Sequence, residues 1–340
     1  MKFNFILREM THLRYYIPII IEGNLRSIKS CFYIIKSNKY NCPFKHVEFL
    51  KEISQKYNIE ISYNLPNKLY DFWFLNENSG LNFITPIEKC KKSKIIVTTY
   101  QTDFTVSYNS YKDHADYILM PSKNISSFYN LLSNKNVYFG ITKYDTSFDK
   151  NKIIKKYNLN NQKKVLLVWP KNRDIDKYPI QIIKFLYDLN YEILVKSRKK
   201  DLISNSHMKI LNQYNSKIFY DNWFPHTTQE LIESCEFVIN CGSTTIEECI
   251  MHNKPLINFD IKPSVRHGQK VKYRVTHEYL YQYNFCKNIT SNIKDIDAKY
   301  FELIINDLLS NKENFEFDKC KNDWLYNHKN TCKNLLEFIL

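Results

Sequence analysis

The residues whose types and spacing most directly suggest chemistry are Gly242, Ser243, Thr244 and Thr245, with Glu248 following. A Gly-Ser/Thr turn that enters a helix presents unpaired backbone N–H groups and hydroxyls to an anion, most commonly a phosphate. Glu248 falls within the first turns of that helix, where a carboxylate can accept from the hydroxyls of a ribose. The bland alternative is an ordinary strand-helix-strand unit of an α/β protein. Two observations favour the sharper reading. Gly242 is one of only five glycines (23, 80, 140, 242 and 268) in a chain of 340 residues, where average usage is about 7%; a glycine kept in so biased a composition marks a position that needs its backbone freedom. All four arginines of the second half (173, 198, 266 and 274) fall in predicted loops, and arginine suits bidentate phosphate contacts.

The elements that must position these residues follow from hydrophobic periodicity. Phe237 to Asn240 is a short apolar run that reads as a buried strand. Ile246, Cys249 and Ile250 share one helical face, Asn253-Lys254-Pro255 stops the helix, and Pro255 to Phe259 begins another strand. Upstream, Val165–Val168 is a strand ending in Trp169-Pro170-Lys171-Asn172-Arg173, and Glu192–Val195 is one ending in Lys196-Ser197-Arg198. Lys217–Tyr220 leads into Asp221-Asn222-Trp223-Phe224, with helices expected over about 179–189 and 227–234. In a doubly wound sheet, ligands sit outside the carboxyl ends of the strands. That edge would carry Arg173, Arg198, Trp223, Phe224 and the 242–245 turn, cations for a diphosphate and aromatics for the face of a base.

The first half shows the same alternation. Strands are expected at 2–8, 31–35, 59–63, 70–75, 94–99 and 117–120, and helices at 12–22, from Pro43 onward through Val47, Leu50 and Ile53, and near 125–132. A junction, Val137 to Asp145, precedes a lysine-rich segment over 146–164, and helices are expected at about 297–310 and 319–339. The fold class is therefore α/β with two doubly wound, Rossmann-like domains: residues 1–148, residues 149–318, and a C-terminal helix over 319–340 packing back on the first.

Composition narrows the partners. The formal charge is +14, yet only seven of 49 basic residues are arginine, so most of the excess is solvated lysine surface. It suits an anionic substrate or a peripheral position on an anionic membrane face. No basic stripe with interleaved aromatics occurs, so no nucleic-acid partner is expected. Nine cysteines without CxxC spacing and nine histidines without HExxH argue against a disulfide framework or a metal site. No apolar run reaches the roughly 20 residues of a membrane span and no signal peptide is evident, so a cytoplasmic location is expected.

The "Gly…Lys-Tyr-Asp" junction at 140–145 and the "Gly-Ser-Thr-Thr…Glu-Glu-Cys…Asn-Lys-Pro" segment at 242–255 resemble the GT-B glycosyltransferase architecture. Within it they are most similar to the CDP-glycerol glycerophosphotransferase-like and surface-carbohydrate transferase families. The resemblance is good over about 115–260. It implies a donor diphosphate bound by Gly242-Ser243-Thr244-Thr245, a ribose held by Glu248, and a base lined by Trp223 and Phe224. Arg173 and Arg198 would neutralise the leaving diphosphate, with no metal and no cofactor beyond the nucleotide-sugar co-substrate. The first domain would supply the glycan or lipid-linked acceptor site and the catalytic base, for which His12 is the choice. Asp103 and His114 are the weaker candidates. The chain departs from the family in having Arg8-Glu-Met-Thr-His12 where many relatives carry a Gly-rich loop.

The implied activity is transfer of a sugar from a nucleotide-sugar to a hydroxyl acceptor in surface polysaccharide or glycolipid synthesis. Two alternatives stand beside it: glycerol- or ribitol-phosphate transfer from a CDP-linked donor, and a non-catalytic GT-B module. Non-hydrolysing UDP-GlcNAc 2-epimerases share the architecture, but their opening Gly-Thr-Arg-Pro-Glu segment is missing. Their later Thr-Glu-Arg-Pro segment has no counterpart in Ile261–His277.

Overall fold

The structure is a computed structural model that describes residues 1–65, 70–77, 93–99, 111–170, 180–197, 203–220, 222–241, 243–259, 278–289, 296–326 and 330–340. Asp103, Arg173, Arg198 and Gly242, together with Arg266 and Arg274, lie outside them. The chain divides into two compact units, Met1–Ser147 with Lys321–Leu340, and Phe148–Cys320.

The first unit is built on a seven-stranded sheet in the order β3-β2-β1-β4-β5-β6-β7, every pairing parallel. Its strands are β1 (Lys2–Leu7), β2 (Lys29–Ile34), β3 (Ile59–Ser62), β4 (Phe72–Asn76), β5 (Lys94–Thr98), β6 (Tyr117–Met120) and β7 (Asn136–Tyr138). Between them run α1 (Leu13–Leu25), α2 (Val47–Tyr57) and α3 (Lys123–Phe128). The central strands are almost continuously buried, as strands covered on both faces must be. Phe5 stacks on Phe74 of the adjoining strand at 4.7 Å between ring centroids, and Phe3 meets Phe72 edge-on at 5.6 Å. Such aromatic pairs add to area burial in fixing strand neighbours.

The second unit carries α4 (Lys150–Lys156), α5 (Gln181–Asp188), α6 (Asn205–Gln213), α7 (Thr227–Ser234), α8 (Thr245–Met251), α9 (Glu278–Tyr281), α10 (Ala298–Ser310) and α11 (Phe317–Cys320). Its strands are β8 (Lys164–Val168), β9 (Glu192–Lys196), β10 (Lys217–Phe219), β11 (Phe237–Asn240), β12 (Leu256–Phe259) and β13 (Cys286–Ile289). They form a six-stranded parallel sheet in the order β10-β9-β8-β11-β12-β13. Alternate residues build two layers. Val165, Leu167, Phe237, Ile239, Ile257 and Phe259 pack into one core with Ile182, Ile183 and Leu186 of α5, Leu211 of α6 and Phe301, Ile305 and Leu308 of α10. On the other face α7 lies on β8 and α8 on β11.

The last segment differs from expectation. The single helix expected over 319–340 is α11, then a π-type turn over Lys321–Leu325, then α12 (Thr331–Ile339). Tyr326 takes a left-handed conformation (φ 47°) at the break, which a continuous helix cannot contain. From Lys321 on the segment belongs to the first unit, where α12 packs on α1. Asp145 receives the backbone N–H groups of Thr331 and Cys332 at 3.1 and 2.6 Å, so the junction supplies acceptors for orphan donors of α12. Three helices inside the second unit, α4, α6 and α9, were not anticipated.

Candidate functional site

Each sheet has one point where strand order reverses, and sheets of this kind bind ligands at the carboxyl edge of that point. In the second unit it lies between β8 and β11. β11 ends at Asn240, and the chain passes through Ser243 and Thr244 into α8. The Ser243 hydroxyl accepts from the Thr245 backbone N–H at 3.4 Å and lies 3.2 Å from the Thr245 hydroxyl, which folds the turn on itself. Thr244 is the residue preceding the helix and makes no side-chain cap. Ser243 and Thr244 are half-buried and Thr245 is buried.

Glu247 and Glu248 occupy the first turn of α8, and both are buried. Carboxylates at that end of a helix are stabilised by its dipole. Glu248 Oε1 lies 3.4 Å from Nδ1 of His226, the residue that opens α7. The same imidazole has Nε2 3.4 Å from the Thr228 hydroxyl. His226 closes the loop that carries Trp223 and Phe224, so the His226–Glu248 pair fastens that loop to the helix behind the Ser243 turn. Trp223 and Phe224 are each 5% exposed. The structure thus brings Trp223, Phe224, Ser243, Thr244, Thr245 and Glu248 to one edge of one unit. It adds His226, which sequence reasoning missed; the available signal was a histidine directly after the Asn222-Trp223-Phe224-Pro225 loop.

Behind the turn lies a second feature that the sequence reading passed over. Asn240, Asn258 and Asn288 stand in register on β11, β12 and β13. Asn240 Nδ2 donates to Asn258 Oδ1 at 2.9 Å and to the Ser243 carbonyl at 3.1 Å, and Asn258 Nδ2 donates to Asn288 Oδ1 at 2.8 Å.

In the first unit the reversal lies between β1 and β4. His12 follows β1 at that edge, in a short 3-10 turn over Met10–His12 that leads into α1. It has no exposed surface, and neither ring nitrogen has a hydrogen-bonding partner among the described residues. Burial pushes its pKa down to about 4, against the raising effect of the nearby Glu9 carboxylate, so the ring is neutral near pH 7. Glu9 is itself buried, paired with Lys39 and accepting from Asn41 Nδ2 at 2.9 Å. Burial works to raise the Glu9 carboxyl, but His12, Lys39 and Asn41 together hold it below the usual value. A neutral imidazole beside an anion has the protonation state of a general base; complete burial means that an acceptor reaches it only if the residues covering it give way.

His114 is placed differently. It is exposed, in a turn tied by Lys135 Nζ to the carbonyls of Lys112 and Asp113, and next to Asp116, whose carboxylate accepts from the Ile95 N–H. Those contacts lie by the amino ends of β5 and β7, so the structure does not bring His114 together with His12. Among the described residues no cluster of three or more His, Cys, Asp or Glu could hold a metal ion, and all eight described cysteines are buried.

Two parallel sheets, each covered by helices and each reversing once, define the GT-B class of α/β fold, and solved structures of that class match this chain over nearly its whole length. The UDP complex of S. aureus MnaA has a TM-score of 0.65 at 13% identity, over 99% of this chain and 95% of that one. An H444N variant of the wall teichoic acid polymerase TagF has a TM-score of 0.65 at 12% identity, over 100% and 88%. The UDP-GlcNAc 2-epimerase of Neisseria meningitidis bound to UDP-GlcNAc has a TM-score of 0.63 at 12% identity, over 99% of each. No family model and no curated protein matches the sequence.

Proposed function

We propose that this chain is a GT-B transferase that moves a sugar from a nucleotide-sugar donor to a hydroxyl acceptor in the assembly of a surface polysaccharide or glycolipid. The observation that carries the reading is the edge beside β11, where a hydroxyl-lined turn precedes a buried carboxylate, Glu248, fastened by His226 to the aromatic loop. In this reading Ser243, Thr244 and Thr245, with Gly242, receive the donor diphosphate. Glu248 takes the ribose, Trp223 and Phe224 line the base, and Arg173 and Arg198 neutralise the leaving group without a metal. His12 is the base that deprotonates the acceptor. Neighbours of the same fold were solved with UDP, UDP-GlcNAc and CDPG, which supports a nucleotide-linked donor.

A thermal-shift screen over UDP-, GDP-, CDP- and dTDP-linked donors tests the reading. One nucleotide class should raise the melting temperature, and no shift at millimolar concentration would favour a non-catalytic module. A second reading, glycerol- or ribitol-phosphate transfer, is favoured by the similarity to TagF and is chosen if the CDP-linked donor alone stabilises. Glu248→Ala should weaken nucleotide binding by tenfold or more, the scale of one or two charge-assisted hydrogen bonds; calorimetry giving the wild-type affinity would remove Glu248 from the site. His12→Ala should abolish turnover and leave donor affinity unchanged, and retained turnover would move the base elsewhere. No helix among the described residues is long and apolar enough to cross a membrane, so any membrane association is proposed as peripheral, through the lysine-rich surface.

A further inference from the structure

We infer that Asn240 is a positioning residue for the donor-diphosphate turn, acting as the donor end of an amide relay across three strands. The inference rests on assigning the 243–245 turn to the donor.

The relay is directional. Asn258 Nδ2 donates to Asn288 Oδ1 and Asn240 Nδ2 donates to Asn258 Oδ1, so the three carboxamides are aligned head to tail from a buried end to an exposed one. The Asn240 side chain has no exposed surface, and neither does Asn258, whereas Asn288 is exposed. The strand register places the three Cα positions opposite one another, so the sheet itself holds the amides at bonding distance. A chain of hydrogen bonds in a low-dielectric interior polarises each member and strengthens the next.

The output of the relay is the Ser243 carbonyl. Asn240 Nδ2 holds it at 3.1 Å, and that peptide directly precedes the Thr244 N–H. Fixing the carbonyl fixes the plane of the peptide, and with it the direction in which the following N–H points. The Ser243 hydroxyl, bound to the Thr245 N–H and hydroxyl, is set by the same backbone. Asn240 Oδ1, in contrast, is buried and accepts no hydrogen bond from the described residues. Among those residues the carboxamide acts through its two donated bonds. Apolar residues fill the other inward positions of these strands; three aligned amides at one edge of one sheet are a local exception beside the one turn proposed to touch the donor.

The test exploits the asymmetry. Asn240→Asp keeps size and shape but replaces the donor by an anion facing two acceptors, the Ser243 carbonyl and Asn258 Oδ1. Affinity for UDP and CDP, measured by calorimetry on the full chain from pH 8 to pH 5, should fall at least tenfold at pH 8. It should recover as the pH drops, because the protonated carboxyl regains one O–H donor; wild type should show no such recovery. A purely structural defect would weaken binding without pH-dependent rescue. If the variant does not fold, Asn258→Leu, which removes the acceptor that anchors Asn240 from the next strand, should weaken binding of the same probes. Wild-type binding of a nucleotide combined with unchanged affinity in the folded variant would overturn the relay. Weak binding at every pH would overturn it equally. Absence of nucleotide binding by wild type would instead overturn the functional assignment on which it rests.

Discussion

His12 joins two properties that rarely coexist in a histidine: no exposed area, and no hydrogen-bonding partner for either ring nitrogen among the described residues. Its folded pKa of about 4 lies below the ordinary value of 6.5. Between those values the unfolded chain binds a proton that the folded one refuses, so stability falls as the pH drops through that window and is fully present above it. A shift of that size corresponds to a loss on the order of 3 kcal/mol at the acid end. Glu9 adds to the fall at lower pH, since its lowered carboxyl gives stability that is present above 4.5 and lost as the pH falls through its folded value. His12→Gln should flatten the urea-denaturation midpoint between pH 6.5 and 4.5, and an unchanged slope would mean that the titrating group is another residue. Measured beside turnover, the same variant separates what the imidazole does for folding from what it does for an acceptor proton.

At the scale of elements, the junction after β7 ties the first sheet to the chain's last helix. Gly140 has φ of 94°, and a Cβ there would lie 2.8 Å from the Tyr326 carbonyl oxygen and 2.9 Å from the Thr331 hydroxyl. Gly140→Ala should therefore cost about 2 kcal/mol or more, from a left-handed backbone and a close approach to main chain that cannot yield. A melting temperature within a degree of wild type would contradict the close packing of Leu325, Tyr326 and Thr331 on this turn. Asp145, in the same junction, is pushed up by burial despite the hydrogen bonds from Cys332 and Thr331, so its carboxylate is held there by the fold rather than the reverse. Gly140 was legible in the sequence as a glycine surviving in a glycine-poor chain; the residues it touches were not, because they lie almost two hundred positions away. Strands such as β6 and helices such as α7 were legible because an apolar run or an apolar stripe states burial directly. α6 was not, since among its nine residues only Leu211 is buried. The Ser243 turn and Glu248 could be placed from local spacing, but His226 and the asparagine relay depend on strand register and helix packing, which no single stretch displays.

At the scale of the molecule, the two units are not equivalent in chain terms. The first is discontinuous, closed by Lys321–Leu340, whereas the second runs unbroken over Phe148–Cys320. α12 packs Cys332, Leu335 and Leu336 out of solvent, with Phe338 edge-on to Tyr117 at 5.1 Å and Arg26 3.7 Å from Glu337. Burying three such side chains stabilises the first unit by several kcal/mol, at about 1.5–3 kcal/mol for each large apolar residue. A chain ending at residue 320 should lose the first unit's folding transition, while residues 148–320 expressed alone should keep a cooperative one of their own. Because every residue assigned to the donor lies within 148–320, that fragment should also bind the nucleotide found in the donor screen with an affinity within about tenfold of the full chain. Calorimetric melting and titration on the two truncations decide the matter. A fragment that folds but does not bind would show that the first unit contributes to the donor site, and the assignment of that site to the β8–β11 edge alone would have to be withdrawn.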